Sequence, residues 1–205
     1  MVKKFLQILK FPDEEKGLSA ELRAVLGNRL VVLILALSFV YYVIDRLINS
    51  NVTHFLFISI SGSCILILVI SGSGYFKLAK IIGLFLFNVI LYNISASQDF
   101  SSGVHLHQIT AAFIALILFG YEERAWGLAF TFFTFCLFAI AFFTKASLIS
   151  YQRFNEYQTN VLFMMNITVF AAINLYLTYM ILRPNHNVAQ TLMFRNQELK
   201  KTNVE

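Results

Sequence analysis

Charged residues are scarce in this chain of 205 residues, in which Asp, Glu, Lys and Arg together make up 13%. An ordinary soluble domain carries about twice that share, so the composition excludes one. The 58% of apolar residues excludes a disordered chain. Proline occurs twice and glycine nine times, which excludes collagen-like and linker-rich sequence. Cys64 and Cys136 both lie within apolar runs, and their spacing predicts neither a disulfide nor a metal cluster.

The sequence also lacks the short motifs of common enzyme sites. The stretch Ser71-Gly72-Ser73-Gly74 does not have the spacing of a phosphate-binding loop, and no His-Glu-x-x-His pattern occurs. No Asp, Glu, Lys or Arg lies in the middle of a long apolar run, which disfavours an ion-coupled transporter. No catalytic residue is therefore predicted in these 205 residues.

Long apolar runs are what the sequence does have. A helix that crosses the hydrocarbon core needs roughly 20 mostly apolar residues. Six segments meet this requirement: Leu30–Ile48, His54–Ile70, Leu78–Ile94, Val104–Tyr121, Ala125–Thr144 and Val161–Leu182. Their connections are short, so consecutive helices are expected to be antiparallel neighbours. The predicted fold is an all-α polytopic membrane protein with six transmembrane helices in one bundle.

The distribution of positive charge predicts the orientation. Of the 16 Lys and Arg residues, all but Arg46, Lys145 and Arg153 fall on the side of the bundle that holds the N-terminus. Cytoplasmic loops carry the excess of Lys and Arg, so both termini are expected in the cytoplasm. The net charge of +5 follows from this bias and suits anionic lipid headgroups as partners. It does not indicate a nucleic-acid partner.

Three regions follow from these patterns. Residues 1–28 are amphipathic and are expected to lie at the inner leaflet on the cytoplasmic side. Residues 29–183 form the transmembrane domain, a sensor or anchor. Residues 184–205 begin a cytoplasmic linker helix, with a kink or short break expected at Pro184. Val188, Leu192 and Leu199 follow heptad spacing, which predicts a helix that pairs in a homodimer and passes a signal onward. The heptads are unfinished at Glu205, so we expect a further cytoplasmic domain.

The final run, Asn196-Gln197-Glu198-Leu199-Lys200-Lys201-Thr202-Asn203-Val204-Glu205, resembles the helix that leads into the dimerisation domain of bacterial sensor histidine kinases. The resemblance implies a membrane receptor module of a two-component system, in the bacterial inner membrane. It further implies a response regulator as partner and ATP with Mg²⁺ in a following kinase region, with no cofactor required in this segment. Similar membrane regions precede class III nucleotide cyclases, which are the second interpretation. A small stand-alone transporter or channel is the third.

Amides within the spans suggest one candidate site. Asn88 and Asn93 lie in the third span, and Asn166 and Asn174 lie in the sixth. Because an amide that faces lipid is costly, these side chains should face other helices or a cavity. With Tyr92 and Tyr176 beside them, they could line a ligand pocket between these two helices. The alternative is that they only form hydrogen bonds between helices.

Imidazoles and carboxylates near the non-cytoplasmic ends of the spans suggest another. The candidates for a divalent metal ion are Asp99, His105, His107 and Glu156, with Asp45 and His54 at the same level. On a helix, His105 and His107 would point about 200° apart, so only an extended segment would let both bind one ion. The alternative is that these residues are solvated loop ends.

Overall fold

A computed structural model describes residues 20–48, 54–149 and 151–202 of the chain. Residues 1–19 lie outside this range, so most of the predicted amphipathic segment 1–28 is not described. The described ranges form six α-helices and contain no strand, which confirms the all-helical fold. The helices are α1 (Ala20–Ile48), α2 (His54–Gly72), α3 (Phe76–Ser97), α4 (Leu106–Phe119), α5 (Arg124–Thr144) and α6 (Glu156–Thr202), with a short 3₁₀ turn at Phe100–Ser102.

Five of the six helices are long and apolar enough to cross a membrane, and α4 is the exception. Large apolar side chains remain exposed on several helices, among them Leu47, Phe132, Phe143 and Leu175. Soluble monomers rarely expose apolar surface on this scale, so the outer faces of the bundle suit hydrocarbon. The structure therefore supports a membrane-embedded helical protein.

The α4 helix is shorter than its predicted span Val104–Tyr121 and has 14 residues. At 1.5 Å per residue it is about 21 Å long, less than the roughly 30 Å of a bilayer core. Its main contacts are with α1, α3, α5 and α6. Ala111, Ala112 and Ala115 are buried along it, and small residues let neighbouring helices approach closely. The short helix is thus the centre of the bundle.

Ion pairs join three elements at the end of the bundle where α1 begins. Arg23 of α1 pairs with Glu122 at 2.5 Å, and Lys80 of α3 pairs with Glu123 at 2.5 Å. Glu122 and Glu123 belong to the turn between α4 and α5. Partial burial of Glu123 favours its neutral form, but the hydrogen bonds and charges of Lys80 and Lys77 outweigh this effect and lower its pKa. Opposite charges therefore fix this turn against α1 and α3.

The α6 helix is the longest element and has 47 residues. Asn155 and Gln158 cap its start reciprocally, each accepting a hydrogen bond from the backbone N–H of the other. A kink or a short break is expected at Pro184; the break is wrong, because the helix continues to Thr202, and the kink stays a prediction. A proline removes one backbone donor, and the neighbouring hydrogen bonds can preserve the helix. The side chains of Val188, Leu192 and Leu199 lie outside the described set, so the heptad pairing stays a prediction.

Candidate functional site

A buried polar network joins α1, α4 and α6. The Tyr41 hydroxyl donates to Asn166 Oδ1 at 2.7 Å and lies 3.1 Å from His107 Nε2. His107 Nε2 is itself 3.0 Å from Asn166 Oδ1. Asn166 Nδ2 donates to the carbonyl of Ser102 at 2.8 Å, just before α4. One side chain of α6 therefore holds two other helices and the loop that enters α4.

Gly103 brings that loop against α6. Its φ is +77°, and a Cβ at this position would lie 2.9 Å from Phe163 Cδ2 and 3.5 Å from Asn166 Cβ. Any other residue would be strained by the backbone angle and would press on α6. Ser102, the preceding residue, is fully buried. The glycine thus allows the close approach that the Ser102–Asn166 hydrogen bond requires.

Counting donors and acceptors in the network shows which group donates each hydrogen bond. Asn166 Oδ1 can only accept, and it has two lone pairs. Tyr41 supplies one hydrogen to it, and His107 supplies a second if Nε2 carries the proton. The Nε2–H tautomer is assigned from this geometry, because the other tautomer would set two acceptors against each other at 3.0 Å. Tyr41 oxygen then keeps acceptor capacity for another group.

A cavity of about 190 Å³ lies beside this network. Five helices line it, and its wall is mainly aliphatic and aromatic. The polar members of the wall are Ser38, Tyr41, Tyr42, Asp45, Gln98, His107, Gln152 and Asn166. We call this space the rim cavity, because Asp45, Gln98 and Gln152 are near helix ends on the side opposite to Arg23. A mainly apolar cavity with a few polar groups is the usual form of a small-molecule site.

Asp45 is the only carboxylate or cation among the described residues that line the rim cavity. It is partly buried on α1 and forms no ion pair with any residue in the described ranges. Aromatic rings are also part of the wall: Tyr42 stacks on Phe57 with 4.7 Å between ring centroids. The rim cavity therefore combines one negative charge with aromatic surface.

A second cavity of about 80 Å³ lies further toward the Arg23 end, between α1, α2, α3 and α4. We call it the lower cavity. Asn28, Ser71 and Lys80 are among its polar wall residues. Four apolar residues line both cavities: Ile34, Ile60, Phe87 and Ile90. The two cavities therefore share a stretch of apolar wall.

The six residues of the predicted ligand pocket are dispersed, and only Asn166 lines the rim cavity. Asn88 is buried and donates to Leu84 of its own helix. Tyr92 and Asn93 bond to the loop after α5, through the carbonyl of Ala146 and the backbone N–H of Leu148. Asn174 donates to Thr110 of α4, and Tyr176 packs partly buried against the core. For Asn93 and Asn174 the geometry matches the alternative of hydrogen bonds between elements.

The residues of the predicted metal site have separate partners. Asp99 accepts a hydrogen bond from Tyr151, which raises the pKa of the tyrosine. His105 stacks on Phe100 with centroids 3.7 Å apart, whereas His107 joins the buried network. Glu156 is exposed at the start of α6. In the described part of the chain, no three His, Cys, Asp or Glu side chains are arranged to hold a metal ion. This arrangement does not test the metal site itself, which stays a prediction.

Sequence reasoning did not include Tyr41, Gln98 or Gln152 in a site. One signal was present: Tyr41 and Asp45 are four residues apart and share a face of a helix that has few other polar groups. Comparisons of the chain with protein-family models, curated proteins and solved structures find no match. The function must therefore be inferred from the cavity, the network and the helix that leaves it.

Proposed function

We propose that this protein is a membrane-embedded sensory and anchoring module that transmits the state of the rim cavity through α6. The observation that carries the proposal is the continuity of α6. The same unbroken helix supplies Asn166 to the polar network and extends to Thr202. Its apolar span ends at Leu182, so the 20 residues that follow extend it by about 30 Å.

The packing of α6 gives this transmission a physical basis. Its main contacts are with α4 and the 3₁₀ turn at Phe100–Ser102. Asn166 and Asn174 add side-chain hydrogen bonds to the α1 and α4 helices. A ligand that competes for Tyr41 would change the bonds of Asn166 and thereby the position of α6. Helix shifts of about 1–2 Å are sufficient for signalling in other systems.

The second part of the proposal concerns the domain that receives the signal from α6. The resemblance of residues 196–205 to a sensor-kinase linker supports a histidine kinase as the parent protein. In that role both termini lie in the cytoplasm of a bacterial cell, and two copies pair through the helix after Pro184. A response regulator then receives the phosphoryl group. No residue of this chain is assigned to that chemistry.

Register insertions test the transmission. The chain is joined through Glu205 to a histidine-kinase catalytic region, and residues are inserted after Asn187. One extra residue rotates the following helix by about 100°, whereas seven restore nearly the same face. We expect a severalfold change in autophosphorylation with one alanine and near-normal activity with seven. Equal activity in all three proteins would overturn transmission by helix rotation.

A transporter or channel is the second candidate, and the two cavities favour it. They occupy successive levels between α1, α2 and α3 and share the apolar wall residues Ile34, Ile60, Phe87 and Ile90, which in a pore would form the constriction. Apolar constrictions act as gates in known pores. Proteoliposomes that contain the chain alone decide between the two roles. Saturable uptake of a labelled solute into these vesicles, with a higher rate in the Phe87→Ala variant, would support transport. Absence of solute uptake would support sensing.

A further inference from the structure

We propose that the rim cavity binds a small organic cation, a protonated amine with a compact aromatic or aliphatic body, and that Asp45 holds its ammonium group. The inference deepens the sensory role proposed above and depends on that role for its biological meaning. The site itself is defined by the side chains of the cavity wall.

Charge is the first argument for this ligand class. Among the described residues that line the rim cavity, Asp45 is the only carboxylate, and neither Lys nor Arg is present. A carboxylate that is partly withdrawn from water is stabilised by a partner of opposite charge, and the described residues offer Asp45 no ion pair. An anionic headgroup would meet this negative charge with no compensating cation. A cationic ligand supplies the missing partner.

The aromatic surface is the second argument. Tyr41, Tyr42, Phe57 and Phe87 all belong to the wall that includes Asp45. The faces of aromatic rings attract ammonium groups, and the attraction grows when water is excluded. The hydroxyls of Tyr41 and Tyr42 also present oxygen acceptors to N–H donors. A carboxylate beside aromatic rings is therefore a suitable chemical environment for an amine.

Size is the third argument. An apolar cavity of about 150 Å³ accommodates one benzene molecule. The rim cavity, at about 190 Å³, has room for a ring with a short chain. The deep wall is apolar, with Ile34, Leu91 and Ile173 among its members, and suits the body of the ligand. The amine would therefore be near the rim, and its ring would lie deeper among the helices.

A matched pair of probes tests the proposal. Radiolabelled 2-phenylethylammonium and its uncharged counterpart 2-phenylethanol have nearly the same shape. The full chain is reconstituted in phosphatidylcholine nanodiscs, and empty nanodiscs correct for partition into lipid. We expect saturable binding of the ammonium, and at least tenfold weaker competition by the alcohol. Equal competition by the two probes, or no saturable binding of the ammonium, would overturn the proposal.

Variants separate the carboxylate from the fold. Asp45→Asn retains the shape of the side chain and is expected to weaken ammonium binding at least tenfold. Asp99→Asn removes another rim carboxylate, one that bonds Tyr151 and is not part of the cavity wall, and should leave binding unchanged. Asp45→Glu should restore part of the binding. Undiminished binding by a folded Asp45→Asn variant would overturn the proposal, and if that variant fails to fold, the probe competition in the unmodified chain still decides.

These binding assays require no signalling output. If insertions after Asn187 left autophosphorylation unchanged while ammonium binding stayed intact, the sensory role would be overturned and the binding site would remain. The reverse result, a register effect without binding, would overturn this inference and leave transmission through α6 in place.

Discussion

His107 Nε2 lies 3.0 Å from Asn166 Oδ1, although 59 residues separate the two in the chain. The contact connects the central helix α4 to the helix that leaves the bundle. Tyr41 completes it from α1. Within a membrane such hydrogen bonds add to the close packing of small residues in holding helices together.

Truncation of Asn166 should destabilise the bundle more than truncation of Asn174. Asn166→Ala removes the acceptor of Tyr41, the partner of His107 and the donor to Ser102. Tyr41 and His107 can still bond to each other, but the buried Ser102 carbonyl loses its partner. A buried polar group without a partner costs about 1–3 kcal/mol, so we expect a loss in this range. Asn174→Ala removes one interhelical bond, to Thr110, at a cost of about 0.6 kcal/mol. Unfolding in mixed micelles measures both, and equal losses would contradict the central place of Asn166.

Gly120 should tolerate substitution less well than Gly74, although both have positive φ. The backbone angles are +59° and +89°, so alanine is strained at either position, by about 1–3 kcal/mol. At Gly120 the new Cβ would also lie 2.5 Å from Arg23 Nη1, whereas at Gly74 nothing lies within 4 Å. Gly120→Ala should therefore lower the melting temperature further than Gly74→Ala does. Because the alanine displaces Arg23 from Glu122, adding Glu122→Gln to the Gly120→Ala variant should lower the melting temperature little further.

The Glu123 ion pairs should make stability depend on acid pH. The pKa of Glu123 is lowered in the folded protein, so its contribution is complete above the unfolded value of about 4.3 and is lost as pH falls through the folded value. Melting temperatures from pH 7 to pH 3 check this. At pH 7 the melting temperature of the unmodified chain should be higher than that of Glu123→Gln, and the two melting temperatures should converge as the pH falls to 3. A constant difference across this range would exclude the ion pairs as its cause.

The orientation can be tested with single cysteines. In a chain whose Cys64 and Cys136 are replaced by Ala, Ser73→Cys marks the α2–α3 turn and Leu148→Cys marks the α5–α6 loop. Both positions are exposed. The bias of Lys and Arg predicts that a membrane-impermeant maleimide labels Leu148→Cys in intact cells and labels Ser73→Cys only after lysis. The opposite pattern would reverse the predicted topology.

The helices were predictable from the sequence because their signal is local. A run of apolar residues identifies His54–Gly72 or Arg124–Thr144 without knowledge of its neighbours. The short α4 was harder to define, because the Gly120 turn and the 3₁₀ turn shorten it and their positions depend on contacts with Arg23 and α6. Pro184 illustrates a different limit, since one missing hydrogen bond does not decide whether a helix ends.

The site was less predictable because hydrogen-bond partners depend on the rotation of each helix. Asn166 and Asn88 look alike in the sequence, yet one joins three elements and the other bonds its own helix. The partners of Asn166 are 125 and 59 residues away, at Tyr41 and His107. Only the packed bundle shows which amide reaches a cavity.

The central claim is that the network at Asn166 sets the position of the far end of α6. Leu128 on α5 and Met193 on α6 are both exposed. With spin labels on cysteines at these two positions, pulsed electron paramagnetic resonance measures the distance between the bundle and the far end of α6. Unlabelled chain in excess suppresses distances between copies. We expect Asn166→Ala to change the distance distribution, and Thr131→Val, which removes an α4–α5 bond to Ala112, to leave it unchanged. An identical distribution in Asn166→Ala and the parent would contradict transmission through α6.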